Sequence, residues 1–247
     1  TYSREPHGNR LGRYRKLAEI DRQDTPSYRY FPSAGGALSY SKTALWLGTL
    51  ENFLGWDRLQ PAMSRFFRQW QFAHPAPDDF FATLEASTGE ELDWFFDQVY
   101  RSSHRFDYAV DSVSSAPMSL DGFAEAEDGG LVYRGEEESE EEVYRTEVVV
   151  RRLGGGMFPV EILLVYEDGQ ESRVRWDGET RWHLVTETGP AKLVSATVDP
   201  DHVLWLDVDR TNNSRLVETD TKRVVLKWTS RWMIWLQDFV TMLGFFA

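Results

Sequence analysis

LDWFFDQVYRSSHRFDYAVDSV, residues 92–113, contains the change of period on which the fold turns. Leu92, Phe95, Phe96 and Val99 recur at the spacing of one helix face, whereas from about Asp107 the chain takes up the alternation of a half-buried strand. A helical unit therefore ends, and a β unit begins, near His104.

Upstream of that switch, from Leu38 to Val99, the punctuation is that of short antiparallel helices. Tyr40, Ala44, Leu47, Leu50 and Leu54 form one stripe, stopped by Gly55. Leu59, Met63, Phe66, Phe67 and Trp70 form the next, with Pro61 expected near its first turn. After His74-Pro75-Ala76-Pro77, Asp78 and Asp79 suit a first turn, where negative charge favours the helix dipole, and Phe80, Phe81 and Leu84 supply a buried face. Gly89 fits that helix's end. Thr88-x-x-Glu91 has the form of a capping box for the last helix of the unit.

Downstream, Phe158, Val160, Ile162, Leu164 and Tyr166 alternate over a full strand, and Asp168-Gly169 turns the chain into a partner ending at Trp176. Asp177-Gly178 predicts another turn, and further strands are predicted at 181–186, 193–198 and 203–208. With 108–113 and 145–153 in front, about seven strands fall within about a hundred residues, the size of an immunoglobulin-like sandwich. The expected fold is α+β: an antiparallel helical unit over 1–104, an Ig-like antiparallel β-sandwich over 105–214 and a C-terminal helix over 215–247.

Charge excludes one class of function. The net charge is −13, and 121–142 alone holds ten acidic residues against Arg134, or −9, so the remainder is only mildly acidic. No basic stripe stands out, which removes nucleic acid as a partner, because phosphate binding needs clustered Lys and Arg. The run from Glu136 to Glu142 reads as a solvated, self-repelling loop between strands. The absence of cysteine rules out disulfides, thiol nucleophiles and Cys-based zinc sites, and leaves the compartment open. Residues 1–16 are polar, with no apolar h-region and no initiator Met, so they do not read as a signal peptide and the sequence reads as part of a longer chain.

Residues 224–247 read two ways. Trp228, Trp232, Trp235, Leu236, Phe239 and Leu243 share one helical face, but Met233, Ile234, Val240 and Phe245 keep other faces apolar, and Lys227, Arg231 and Asp238 interrupt them. The segment falls short of the ~20 uninterrupted apolar residues of a spanning helix. It is either a terminal helix docked on the body or a Trp-rich interfacial helix contacting a membrane.

Local chemistry is sparse. His7, His74, His104, His183 and His202 show no i, i+3 or i, i+4 pair, so no zinc site can be built locally. No G-x-S-x-G elbow, P-loop or G-x-G-x-x-G occurs. His74, before Pro75, reads as a turn residue; His183 and His202 read as surface or packing residues.

The helical half carries a more specific pattern. Ser39-Tyr40-Ser41-Lys42-Thr43-Ala44, then Leu50 to Gly55, Phe72 to Pro75, Asp79-Phe80 and Gly89, Leu92, Phe95, Phe96, Gln98 follow one another in the order and spacing of a known set of motifs. Over Leu38 to Gln98 the chain resembles the end of the thermolysin-like catalytic domain of M1-family zinc metallopeptidases, the aminopeptidases. In that family a Tyr-x-Lys-Gly-Ala motif opens a helix, and an Asp-Phe helix leads later to a Gly-x-x-Leu-x-x-Phe-Phe-x-Gln helix.

The resemblance implies a peptide substrate and assigns one residue a role. Tyr40 corresponds to the family's catalytic tyrosine, whose phenol donates a hydrogen bond to the oxyanion formed as a peptide carbonyl is attacked. A phenol is a neutral donor at pH 7, suited to a developing negative charge. From periodicity alone, Tyr40 is simply the first apolar residue of its stripe. Thr43 stands where the family has Gly. The family's H-E-x-x-H helix and downstream Glu, which hold zinc, are absent from these residues. The resemblance therefore implies zinc in the intact parent, none in this chain alone, and an upstream catalytic region of the same polypeptide as partner. A non-catalytic M1-like scaffold or binding module is the alternative.

Overall fold

The computed structural model describes residues 8–118, 122–125, 130–134, 142–218 and 221–244. The chain is α+β, with helices first and antiparallel sheets after them.

The helical part runs through α1 (Gly8–Leu17), α2 (Ala34–Gly36), a π-helical stretch (Ala37–Lys42), α3 (Thr43–Leu54), α4 (Trp56–Trp70), α5 (Pro77–Thr88) and α6 (Asp93–Val99). Gly55 closes α3 with φ +86 and Gly89 closes α5 with φ +71, both in the region that favours glycine. Much of the expected stripes is buried, namely Leu50 and Leu54 of α3, Leu59 of α4, Phe81 and Leu84 of α5, and Phe95, Phe96 and Val99 of α6, but Phe67, expected on the α4 stripe, lies at its flank and is 68% exposed. Phe81 stacks on Phe96 at 4.0 Å between centroids, and Trp46 meets Phe80, Phe95 and Phe96 edge-on.

Two expected helix starts differ. Pro61 lies inside α4 rather than in its first turn. The Thr88-x-x-Glu91 box does not cap α6, because Thr88 still belongs to α5. Instead Glu85 of α5 reaches across, and its Oε1 accepts from the backbone N–H of Leu92 (2.7 Å) and Asp93 (3.0 Å). The orphan donors of one helix are satisfied by the preceding helix.

The β part forms two main sheets. One has the order β1 (Tyr108–Met118), β4 (Val143–Arg152), β7 (Trp182–Gly189); the other runs β6 (Glu171–Trp176), β5 (Val160–Tyr166), β8 (Leu193–Val198), β9 (Ser214–Leu216). All these pairs are antiparallel. The hairpin expected at Asp168-Gly169 joins β5 to β6, with Gly169 at φ +82. Val148 and Val150 of β4, Ile162 and Leu164 of β5, and Ala196 and Val198 of β8 are buried in one core. Within the acidic insert, β2 (Gly122–Glu125) pairs with β3 (Leu131–Arg134). The run 136–141 lies outside the described residues.

The strand expected at 203–208 is not one. Its alternation is real, since Leu204, Leu206 and Val208 are buried. Its backbone, however, is held by side chains and turns. The Asp199 carboxylate accepts from Val203 N (2.8 Å) and Leu204 N (3.1 Å), Thr49 Oγ1 accepts from Trp205 N (3.0 Å), and Val208 N donates to Phe106 O (3.0 Å). A single parallel bridge, Phe106 to Asp207, is the nearest it comes to a ladder.

That segment and the linker at 104–107 join the two parts. Phe158, at the start of the sandwich, is buried against Phe53, Trp94 and Phe95, with centroids 5.6, 5.9 and 6.2 Å away. Gln98 Oε1 of α6 accepts from Met157 N (3.1 Å), and Asn52 of α3 donates to His202 O (3.2 Å). Gly154 packs so tightly on the linker that a Cβ there would stand 2.0 Å from Arg105 O. Helices and sheets consequently share one continuous core.

Candidate functional site

Tyr40 lies on the π-helical stretch, and its position follows from how that stretch is wound. Ala37, Leu38, Ser41 and Lys42 turn inward and are buried, whereas Ser39 and Tyr40 turn outward. π winding is rare and occurs mostly as single turns within helices, frequently at functional sites. Tyr40 is 78% exposed, and its hydroxyl makes no hydrogen bond to another described residue. An exposed phenol on a buried backbone is a donor free to meet an external acceptor.

Three neighbours hold the stretch. The Thr43 hydroxyl donates to Leu38 O at 3.2 Å, across the π turn, and accepts from Gln23 Nε2 at 2.7 Å. Thr43 thus does work that a glycine could not do. Gln23 is a hub: its Oε1 accepts from Trp46 Nε1 (3.2 Å), its backbone O accepts from the Tyr30 hydroxyl (2.9 Å), and its N–H donates to Tyr100 O (3.1 Å). Burial pushes the Tyr30 phenol up, opposed by a hydrogen bond with Ser39 beside Tyr40.

Lys42 is fully buried behind the same turn, with Nζ donating to Ser102 O at 3.0 Å. Burial pushes its ammonium down to about 8, against the pull of Asp24. With no accessible surface, this group cannot touch a substrate. It ties the segment that follows α6 to the π turn and so positions Tyr40 rather than reacting.

Among the described residues, no group of three or more His, Asp and Glu could hold a metal. His183 stacks on Trp176 at 5.9 Å, His104 lies 3.2 Å from Gln98 Oε1, and His202 occupies a turn at φ +54. The described donors do not fit a zinc site. A groove of about 230 Å³ opens between α3 and the sandwich, lined by Asn52, Phe53, Glu161, Arg175 and Asp201, and Tyr40 is not part of it.

Sequence reasoning named Tyr40 as the candidate and passed over Gln23, whose position before a polar run carries no motif signal. It also read Lys42 only as a motif match; that a lysine on a helix stripe would be buried was legible only from its spacing to Leu38 and Ser41.

No family model and no curated protein matches the chain. Among solved structures, that of Legionella pneumophila aminopeptidase A in complex with aspartic acid is similar over 70% of this chain and 18% of that one, at 13% identity and a TM-score of 0.41. The chain spans less than a fifth of that neighbour's length.

Proposed function

We propose that this chain is the C-terminal part of an M1-like zinc metallopeptidase that removes residues from the N-terminus of peptides, and that Tyr40 is its oxyanion donor. The supporting observation is the setting of Tyr40: an exposed hydroxyl with no partner among the described residues, on a turn tied by hydrogen bonds of Lys42, Thr43 and Gln23. Preorganised donors stabilise a developing oxyanion because their orientation requires no rearrangement as the reaction proceeds. Zinc belongs, in this reading, to residues outside this sequence, and the chain alone is inactive. The helical unit to 104 closes the catalytic domain, the sandwich from 105 follows it through β9 (Ser214–Leu216), and α7 (Thr221–Gly244) is the terminal helix.

The strand order supports an Ig-like reading of the sandwich. With the β2–β3 hairpin set aside, the first, second and fifth strands share one sheet and the fourth, third, sixth and seventh the other. Relative to the constant-type arrangement, the fourth strand has moved to the opposite sheet.

Tyr40→Phe in the full-length protein tests the assignment. Removing one oxyanion donor typically lowers turnover by ~10²- to 10³-fold. We expect that loss in kcat, with KM, metal content and melting temperature near those of the parent, since the hydroxyl holds nothing else in place. Unchanged kcat would remove Tyr40 from the mechanism, whereas absence of turnover in the full-length parent would favour a non-catalytic binding module.

A further inference from the structure

The helix α7 (Thr221–Gly244) differs from every other helix in the chain. Among its described side chains, the large apolar ones are between 46% and 66% exposed, and none belongs to the core. No other element packs along it among the described residues. At 100° per residue, Trp228, Trp232, Trp235 and Phe239 fall on one line, and the rings confirm it: Trp232 meets Trp235 edge-on at 5.6 Å, and Trp235 stacks on Phe239 at 5.6 Å. Ser230 and Gln237 lie opposite, flanked by the exposed Met233 and Ile234, with Arg231 at the border of the aromatic face.

Charge identifies what covers this face. Residues 221–244 carry Lys222, Arg223, Lys227 and Arg231 against Asp238, a net of +3 in a chain of −13, which leaves −16 on residues 1–220. A basic, tryptophan-lined helix on an acidic body has two needs: an apolar medium for the rings and anions for the cations. The acidic insert of the same chain would satisfy the second and not the first. A lipid interface satisfies both, since tryptophan favours the headgroup level and Lys and Arg extend their heads to anionic phosphates. The acidic body would then be repelled from the same surface and stand off it. No helix among the described residues is long and apolar enough to cross a membrane, so the geometry is that of a helix lying in the surface. At ~1.5 Å per residue, α7 offers a strip about 36 Å long.

We propose that α7 is an interfacial helix that seats its Trp228–Phe239 face in the headgroup region of an anionic bilayer. The test is co-sedimentation of the full chain with vesicles of phosphatidylcholine alone and of phosphatidylcholine mixed with phosphatidylglycerol, followed by tryptophan emission. The anionic vesicles should take up the protein with a blue shift, and raised salt should weaken binding. Trp232→Ala with Trp235→Ala should reduce partitioning by roughly tenfold or more, because the apolar contact is lost. Arg231→Glu with Lys227→Glu should remove the preference for anionic vesicles and leave residual binding equal on both kinds. Far-UV circular dichroism checks that each variant keeps its fold. Failure to sediment with either vesicle would overturn the proposal, as would binding indifferent to both pairs of substitutions. So would a dimer in sedimentation velocity that the tryptophan pair dissolves while vesicles compete for nothing, which would make a second copy the cover.

Discussion

Asp207 has no accessible surface where the linker, the sandwich and the 199–213 segment meet. Its carboxylate accepts from Asn213 Nδ2 and Asp209 N, both at 3.0 Å, and from Tyr108 N at 3.4 Å. Burial pushes its carboxyl up to about 6, the nearby Asp107 adding to the shift and these donors opposing it. Arg105, paired with Asp107 at 3.5 Å, and the buried Tyr14 complete the surroundings. Because the folded carboxyl holds its proton more tightly than the unfolded one, folding is favoured by protonation here. This contribution is fully present below the unfolded value near 4 and is lost as pH rises through about 6, on the order of 3 kcal/mol in all. Asp207→Asn removes the titration, so wild type should gain on the variant in melting temperature as pH falls from 7 to 4; parallel curves would show that Asp207 does not titrate in this range. Nothing in the sequence around Leu206-Asp207-Val208 distinguishes this carboxylate from a solvated turn residue, because part of its environment, Arg105 to Tyr108, lies about a hundred residues upstream of the local donors Asp209 and Asn213. Tyr40, by contrast, becomes a candidate through an ordered set of motif pieces, although its exposure was not legible there. A six-residue turn is too short for an apolar stripe to distinguish π from α winding.

At the scale of elements, periodicity located α3 to α6 and the β5–β6 hairpin because each buries one face against a continuous core, and it passed over α1 among the polar residues at the start. It failed where the backbone is satisfied from a distance. α6 begins where Glu85 supplies two acceptor contacts, and 203–208 avoids a ladder because Asp199, Thr49 and Phe106 supply its partners. Glu85→Ala should cost about 1–2 kcal/mol, as the loss of a good helix cap does, whereas Glu85→Gln, which keeps an amide oxygen in place, should cost much less. Urea denaturation of the two variants separates them; equal losses would show that the charge of Glu85, and not its acceptor, does the capping.

For the whole molecule, the contact of α3 with the 199–213 segment decides whether helices and sheets act as one body. Gly48 is buried under Trp205, and a Cβ added to it would stand 2.0 Å from the indole ring. In an isolated helix, Gly→Ala would stabilise by about 1 kcal/mol. Here the overlap should outweigh that gain, so that Gly48→Ala destabilises by about 1–3 kcal/mol, the usual range for overpacking. A lower denaturation midpoint at unchanged slope would show this, while a higher midpoint would mean that Trp205 moves aside freely. The switch from helix to strand between Val99 and Tyr108 was legible from the change of period, but the shared core across it was not, since the residues that build it lie far apart in the chain: Phe53, Phe158 and Trp205. The π-helical stretch has a consequence for insertions and deletions. A π turn holds one residue more than an α turn of similar height, so which side chains face outward is set by the number of residues between Ala37 and Lys42 as much as by their identity. Deleting one of them would let the turn close as α and swing Tyr40 by roughly 100° about the helix axis, taking the phenol off the outer face while leaving every side chain's chemistry unchanged.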